Sequence, residues 1–346
     1  MRIVLAVPGL SPDPAVIPFL PSAHFPGLDA AVRVGVFRPR QRTIAELVAG
    51  FFVSGSLAAQ CAASIFDRDG DGDGAGKIGG AAQGGLFLAA PFSARVDLSS
   101  ALVVTGESVG LSLGEAQSCA QALNEFFEPE GLAFFPASAS LWLAKSAKPL
   151  DFSGPAAWDC EGRVEGLERF GPDGPTVMRW EAEAQMFLRG HPFNARRAKA
   201  GKNALDGALM WKDTVGNAEF ERTLLASRPS FLPLPDAARA LPRFEPDLAA
   251  VAGLLDGQGE RPERIVFWDG SVAQAARMGD PDLWHEAVGR FDAEVLSPLL
   301  RRAAEAGGGV DGVDVVDETG ALAIPKRPSP LRRVFGKHKK YGGRLA

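Results

Sequence analysis

The pattern of apolar and polar positions predicts a chain in which strands and helices alternate. Residues 3–7 form a continuous apolar run that ends at Pro8-Gly9, which is typical of a strand buried on both faces of a parallel sheet. Similar runs predict further strands at residues 31–37, 85–90, 101–105, 132–135, 141–144, 264–268 and 313–316. We therefore predict the α/β class, with a mixed, mostly parallel sheet flanked by helices.

Apolar residues recur at helical spacing in the intervening segments. Residues 43–66 predict a helix pair or one long helix, and Thr43 stands three residues before Glu46, as in a capping box. Further helices are predicted at residues 113–127, 180–188 and 282–306, with a short one at 236–240. Pro298 predicts a kink or a break within the segment 282–306, because proline removes a helical hydrogen bond.

Residues 67–85 are so rich in glycine and aspartate that we predict a surface loop there. Asp67, Asp69, Asp71 and Gly72 match the start of an EF-hand calcium loop. The match then fails, because Ile78 occupies the position of the bidentate glutamate. A plain solvated loop is the favoured interpretation, with cation binding as the alternative.

These elements divide the chain into five predicted parts. Residues 1–66 form the first part of an α/β core, 67–85 the loop, 86–227 an inserted α+β region, 228–325 the second part of the core, and 326–346 a basic tail.

Composition narrows the class of protein. The chain has 346 residues, of which 46% are hydrophobic and 23% charged, as in globular proteins. The net charge of -5 argues against a nucleic-acid-binding protein. Three widely spaced cysteines suit a reducing compartment, and the apolar N-terminal run is too short for a signal or a membrane span, so we expect a cytoplasmic protein.

The basic tail is the exception to the acidic balance. We expect a solvated tail, with contact to phosphates, as in a nucleic acid, or to an acidic protein partner as the alternative. Its cationic residues are Lys326, Arg327, Arg332, Arg333, Lys337, Lys339, Lys340 and Arg344.

Residues 191–203 hold the densest cluster of hydrogen-bonding side chains in the chain. Arginine presents a fork of donors that suits a carboxylate or a phosphate, so the cluster predicts recognition of an anion. The alternative is a basic helix face with a capping histidine. The members are His191, Asn194, Arg196, Arg197, Lys199, Lys202 and Asn203.

Residues 183–211, EAQMFLRGHPFNARRAKAGKNALDGALMW, resemble a motif of a bacterial family described as phosphoglycerate-mutase-like or as RpfE-type regulatory proteins. The segment is also similar to archaeal-type cofactor-independent phosphoglycerate mutases of the alkaline phosphatase superfamily. That resemblance implies an alkaline-phosphatase-like core and a phosphorylated metabolite as ligand. The residues on the motif are Glu183, Gln185, Met186, His191, Pro192, Asn194, Arg197, Gly201 and Trp211.

The chain departs from these mutases where they bind metal. Pro8-Gly9 stands in place of their Asp-Gly, residues 269–280 lack their DEAGH, and Asp317-Glu318-Thr319 lacks the histidine of their Asp-His-Thr-Pro. Removing most ligands of a two-metal site abolishes its phosphoryl-transfer mechanism. The resemblance therefore implies a protein without a metal cofactor.

Our leading hypothesis is a non-catalytic or regulatory protein that binds a small anionic, phosphorylated metabolite. The candidate ligand-binding residues are His191, Asn194, Arg197, Asp206 and Trp211. The same residues are alternatively structural. The competing hypothesis is an active phosphoglycerate mutase or phosphatase in which Asp269, Asp280 and Asp317 gather around a metal. No catalytic residue is identified by sequence under the leading hypothesis.

Overall fold

The computed structural model describes residues 1–12, 24–69, 85–96, 101–162, 166–233, 238–240, 262–305, 309–326 and 339–345. The chain divides into two compact units. Unit 1 comprises Met1–Phe51, Glu219–Ser230 and Asp236–Ala346, and unit 2 comprises Phe52–Ala218 and Phe231–Pro235. Unit 2 thus begins at Phe52, whereas the predicted inserted region began at residue 86.

The strands are, in chain order, β1 (Arg2–Ala6), β2 (Val36–Pro39), β3 (Ser54–Ser56), β4 (Gly85–Val96), β5 (Ala101–Val104), β6 (Leu132–Pro136), β7 (Trp142–Ser146), β8 (Gly207–Trp211), β9 (Val215–Asn217), β10 (Thr223–Leu225), β11 (Arg239–Ala240), β12 (Arg264–Trp268), β13 (Gly312–Val316) and β14 (Gly320–Pro325). The α-helices are α1 (Pro26–Val34), α2 (Ile44–Phe52), α3 (Leu57–Asp69), α4 (Leu113–Phe127), α5 (Ala157–Cys160), α6 (Gly174–Gly190), α7 (Pro192–Lys199), α8 (Ser271–Arg277), α9 (Pro281–Arg290) and α10 (Ser297–Ala304).

Unit 1 is built on a seven-stranded sheet in the order β11-β10-β12-β1-β13-β14-β2. The strands from β11 to β13 pair in parallel, and β14 pairs antiparallel with both β13 and β2. In the middle of the sheet Ile3 lies opposite Ile265 on one side and Val313 on the other. This sheet confirms the predicted α/β class with a mixed, mostly parallel sheet.

The core of unit 1 explains why β1 is apolar at every position after Arg2. Ile3 and Leu5 pack into a cluster with helix residues such as Leu28 and Val288. Val4 and Ala6 point to the opposite face and are buried as well. A strand covered on both faces keeps apolar residues at consecutive positions rather than alternate ones.

The predicted kink or break at Pro298 is found as a change of helix type, because the backbone stays helical from α9 to α10. Helix α9 continues into a π-helical segment, Phe291–Leu296, and α10 begins there with Pro298 in its first turn. Proline is tolerated in the first turn because its missing N–H has no helical partner there. The π-helical segment carries Asp292, which accepts hydrogen bonds from the N–H groups of Gly27 (3.0 Å) and Leu28 (2.6 Å) at the start of α1.

Unit 2 is built on an antiparallel sheet in the order β5-β4-β7-β6, with β8 also paired to β4. Helices α4 and α6 cover it with residues at helical spacing. From α4 these are Ala116, Cys119, Ala120, Leu123 and Phe127, and from α6 they are Val177, Trp180, Ala184 and Leu188. Side chains of the sheet, among them Phe87 and Trp142, complete this core.

Four sequence predictions need correction. A strand was predicted at residues 31–37, but residues 31–34 belong to α1, which ends just before Gly35. The strand in this region is β2, Val36–Pro39. Arg239–Ala240 pairs as a strand with β10 rather than forming a short helix. Asp67–Asp69 continues α3, so the predicted loop begins later. The rest of the EF-hand-like run lies outside the described residues.

The fourth correction concerns residues 339–345. A solvated tail was predicted there, but Tyr341 and Leu345 are 4% and 1% exposed and join the core of unit 1. Among the described helices, none combines the length and the apolar character needed to cross a membrane.

Candidate functional site

The segment from His191 to Arg197 lies at a sharp change of direction between two helices of unit 2. Helix α6 ends at Gly190, and α7 begins at Pro192, whose fixed φ suits the first helical position. His191 lies between them and caps α7, because its Nδ1 accepts a hydrogen bond from the Phe193 N–H at 3.3 Å. Its ring stacks at a tilt on Phe187, with centroids 4.9 Å apart.

The Asn194 side chain is buried and forms hydrogen bonds to the backbone of two segments. Its amide nitrogen donates to the carbonyl oxygens of Leu188 and Leu205, each at 2.8 Å. Its amide oxygen accepts from the Leu205 N–H at 2.8 Å. The side chain therefore joins the end of α6 to the segment before β8.

Arg197 is only 2% exposed and is also surrounded by backbone acceptors. Its Nη2 donates to the Val109 carbonyl at 2.7 Å and its Nε to the Asn203 carbonyl at 2.8 Å. Its Nη1 lies 3.2 Å from Glu115 at the start of α4. This guanidinium therefore connects three separate parts of unit 2.

Asp206 lies just before β8, directly after Leu205, to which Asn194 is bonded, and Trp211 lies at the end of that strand. Asp206 accepts a 2.6 Å hydrogen bond from the Ala94 N–H of β4. Trp211 is buried edge-to-face against Trp158 and donates to the Thr214 hydroxyl at 3.3 Å. The structure thus places Asn194 and Arg197 on α7 and His191 at its N-cap, but it does not gather all five residues around one space.

An open cavity of about 450 Å³ lies in unit 2, and none of the five residues lines it. Its walls are mostly apolar, from residues such as Phe87 and Phe152, with Lys212 and Asp213 as its charged members. The contacts of Asn194 and Arg197 favour the structural alternative for this segment. Ligand binding by the five residues stays a prediction.

A second cluster of polar groups lies in unit 1, at the carboxyl ends of three neighbouring parallel strands. The Val7 N–H donates to the Val316 carbonyl at 2.8 Å, and the Asp269 N–H donates to the Ala6 carbonyl at 3.0 Å. The segments that follow β1, β12 and β13 therefore continue side by side. In open α/β sheets this edge is where ligands bind. We call residues 9–11, Arg42 and 317–319 the strand-end cluster.

Glu318 holds the turn after β1. Its Oε2 accepts a 2.7 Å hydrogen bond from the Gly9 N–H. Gly9 has φ +85°, and a Cβ there would lie 2.6 Å from the Ala273 backbone, so only glycine fits. Burial raises the pKa of Glu318, although the hydrogen bond from Gly9 opposes the shift.

Asp317 is fully buried, and the backbone of Arg42 forms a hydrogen bond to the residue that follows it. Its Oδ1 accepts from the Thr319 hydroxyl (2.7 Å) and the Thr319 N–H (2.8 Å), while its Oδ2 is buried without a hydrogen-bond partner. The backbone of Arg42 donates to the Glu318 carbonyl, and the Nε of Arg42 is likewise buried and unpartnered. Burial, followed by Arg40, lowers the pKa of Arg42, and Asp317 opposes this.

The three aspartates of the competing enzyme hypothesis occupy two kinds of position. Asp269 and Asp317 follow the parallel strands on either side of β1. Asp280 instead caps α9, accepting from the N–H groups of Asp282 and Leu283. Within the described ranges, no three His, Cys, Asp or Glu side chains are grouped so as to hold a metal ion.

Sequence reasoning missed Arg42 and Tyr341. Arg42 stands in a polar stretch before α2, where nothing marks one arginine above its neighbours. Tyr341 is the only tyrosine of the chain and stands between basic residues and two glycines. A single aromatic residue in such a polar stretch could have indicated a side chain that packs against the core. Its hydroxyl donates to the Leu10 carbonyl.

No protein-family model matches the chain, and no curated protein matches it. Among solved structures it is similar to the PH0037 protein from Pyrococcus horikoshii, with 12% identity, a TM-score of 0.49, and 97% of this chain and 92% of that chain covered. It is also similar to a cofactor-independent phosphoglycerate mutase from Thermoplasma acidophilum, with 14% identity, a TM-score of 0.37, and coverage of 98% and 95%.

Proposed function

We propose that this chain is a phosphoglycerate-mutase-like protein that acts as a binding or regulatory protein for a small phosphorylated metabolite. Support comes first from the motif at residues 183–211 and from Pro8-Gly9, which replaces the Asp-Gly of the mutases. The two carboxylates at the strand ends also support the proposal. Glu318 accepts a hydrogen bond from the Gly9 amide, and Asp317 accepts one from the Thr319 amide.

The observation that carries the proposal is the pair of unpartnered atoms on Asp317 and Arg42. A buried polar atom without a partner costs free energy, so such atoms point to a missing partner at that place. An anionic group would accept from the Arg42 guanidinium, and a hydroxyl group would donate to Asp317 Oδ2. A small phosphorylated hydroxy acid carries both groups.

The hydroxyl groups nearby suit the same ligand. Thr319 Oγ1 lies 3.3 Å from Ser11 Oγ, so the segments after β1 and β13 place two hydroxyls beside the carboxylate. We therefore locate the ligand in the strand-end cluster rather than at His191, Asn194 and Arg197, whose partners are largely backbone groups.

Calorimetric titration with 3-phosphoglycerate tests the proposal. We expect saturable binding, weakened about 10- to 100-fold in Arg42→Ala, since a hydrogen bond to a charged group contributes about 1.5–3 kcal/mol. Arg38→Ala is the matched control, because Arg38 is exposed and is not among the charges that shift the pKa of Arg42, so the affinity should be unchanged. Absence of binding by the native protein, or equal affinity in the two variants, would contradict the proposal.

The alternative function is a phosphoglycerate mutase or phosphatase with a divergent metal site. It is favoured by the placement of Asp269 and Asp317 after the two strands that flank β1. Metal analysis of the purified protein, together with mutase and phosphatase assays in added Mn²⁺, separates the two functions. A stoichiometric divalent ion with turnover would overturn the binding-protein proposal.

A further inference from the structure

We infer that residues 339–345 form a detachable strap that closes the strand-end cluster, and that release of this strap opens the cluster. The inference concerns a segment for which the sequence predicted a solvated tail, with partner contact as the alternative. Its ligand-binding consequence rests on the proposed function, whereas its structural part does not.

The strap is attached to three places in unit 1. The Tyr341 hydroxyl donates to the Leu10 carbonyl, and the Tyr341 N–H donates to Asp29 Oδ1 at 2.8 Å. Near the start of the strap, Arg33 Nε donates to the Lys339 carbonyl at 3.1 Å. Leu345 is buried in the same core as the tyrosine ring.

The attachment at Leu10 places the strap against the strand-end cluster. Leu10 lies between Gly9, whose N–H is held by Glu318, and Ser11, whose hydroxyl contacts Thr319. Burial first, and then the charges of Asp317 and Asp292, raise the pKa of Tyr341, so its hydroxyl stays protonated and remains a donor. The phenol is therefore bonded to the same turn, residues 9–11, that Glu318 and Thr319 contact.

The same contacts make the strap easier to release than the sheet. Residues 339–345 form no helix and pair with no strand in the described structure. Two of their three hydrogen bonds described above involve a side chain of α1, and Lys340 and Arg344 are exposed. The strap is held by these hydrogen bonds and by the buried side chains of Tyr341 and Leu345. A segment held by so few residues opens locally at a lower free energy than the whole fold.

Amide hydrogen exchange on the ligand-free protein tests the structural part. We expect residues 341–345 to exchange through local opening, well before residues 3–6 of β1. Tyr341→Phe should speed exchange at Ser11 about 2- to 10-fold, since it removes one hydrogen bond from the Leu10–Ser11 peptide. Leu345→Ala, which loosens the strap without touching that peptide, should speed exchange at both places, and the exposed Arg344→Ala should change neither.

The strap would be refuted if residues 341–345 exchanged only as fast as the residues of β1. It would also be refuted if Tyr341→Phe and Leu345→Ala both left the exchange rate at Ser11 unchanged. The ligand consequence is tested by the association rate of 3-phosphoglycerate, which should rise in Leu345→Ala and stay unchanged in Arg344→Ala. If the exchange rates are as expected but neither the native protein nor the variants bind 3-phosphoglycerate, the proposed function is refuted and the strap is not. If the native protein binds but Leu345→Ala associates no faster, closure of the cluster is refuted.

Discussion

The Arg197 side chain is enclosed by backbone carbonyls that lie far apart along the chain. It reaches Val109 and Gly110 before α4 and Asn203 after α7. A guanidinium suits this position because it holds several donors in one rigid plane. The residue types that suggested an anion site thus also suit a connection between backbone segments.

Replacing this arginine separates the structural from the ligand-binding interpretation. We expect Arg197→Ala to lower the free energy of unfolding by about 2–3 kcal/mol, because buried carbonyls lose their donors. The measurement is urea denaturation, with Arg196→Ala as the matched control, since Arg196 is exposed on the same helix and should change stability by less than about 0.5 kcal/mol. A stable Arg197→Ala protein that no longer binds phosphorylated acids would instead support ligand binding by this residue.

Helix α4 shows how a local sequence signal is completed by more distant residues. Ser112 and Glu115 form a capping box, with Glu115 N–H to Ser112 Oγ at 3.2 Å and Ser112 N–H to Glu115 Oε2 at 2.8 Å. Lys202 adds an ion pair to the same carboxylate at 3.0 Å. The start of α4 is therefore held both by its own residues and by the segment after α7.

This cap predicts a pH dependence of stability. Burial alone would raise the pKa of Glu115, but hydrogen bonds from the Ser112 backbone, Lys202 and the Ser112 hydroxyl outweigh it and lower the pKa to about 2. The ordinary value is 4.5, so the stabilisation by ionised Glu115 is complete above that pH and is lost as the pH falls toward about 2. Denaturation midpoints measured across this range should fall less steeply in Glu115→Gln than in the native protein. Glu128→Gln, at an exposed position near the end of the same helix, is the control, and equal slopes in both variants would refute the assignment.

At the scale of the whole molecule, residues far apart in sequence complete the core of unit 1. Asp292, in the π-helical segment, bonds the first turn of α1 across 265 residues of chain. Both carboxylate oxygens are used, one on Gly27 and one on Leu28. The contact joins the first part of this unit to its last.

We expect Asp292→Asn to destabilise the protein by about 1–3 kcal/mol, because the amide NH₂ faces one of the two N–H groups and leaves it unpaired. Urea denaturation should show a lower midpoint with an unchanged slope. Glu294→Gln, an exposed neighbour in the same π-helical segment, should leave the midpoint unchanged. A midpoint for Asp292→Asn equal to that of the control would show that this bond does not stabilise the fold.

Local pattern was enough to predict most elements. Residues 3–7, 113–127 and 264–268 were placed within a residue or two, because buried runs and capping residues act over one strand or a few helical turns. The strand at 31–37 was misplaced, since its apolar residues are equally compatible with the end of α1. Asp67–Asp69 was misplaced because glycine and aspartate that follow a helix hide where it ends.

The candidate site depended on contacts that no spacing rule contains. The motif at 191–197 was visible in the sequence, but whether Asn194 and Arg197 face a ligand or backbone depends on the carbonyls that surround them. The strand-end cluster joins Arg42, residues 9–11 and 317–319, which are separated by up to 310 positions. Their proximity follows from the pairing of β1 with β13 and from the pairing of β2 with β14.

By itself, the sequence determined the class of this protein and the positions of its main strands and helices, because burial periodicity and capping are properties of short segments. Tertiary structure decided that Tyr341 is an anchor and that Glu318 holds Gly9. It also decided that Arg42 bonds the residue after Asp317 and that both side chains have unpartnered atoms. The physical reason is that a hydrogen bond depends on distance and direction in space, and strand pairing sets both between residues that the chain keeps far apart.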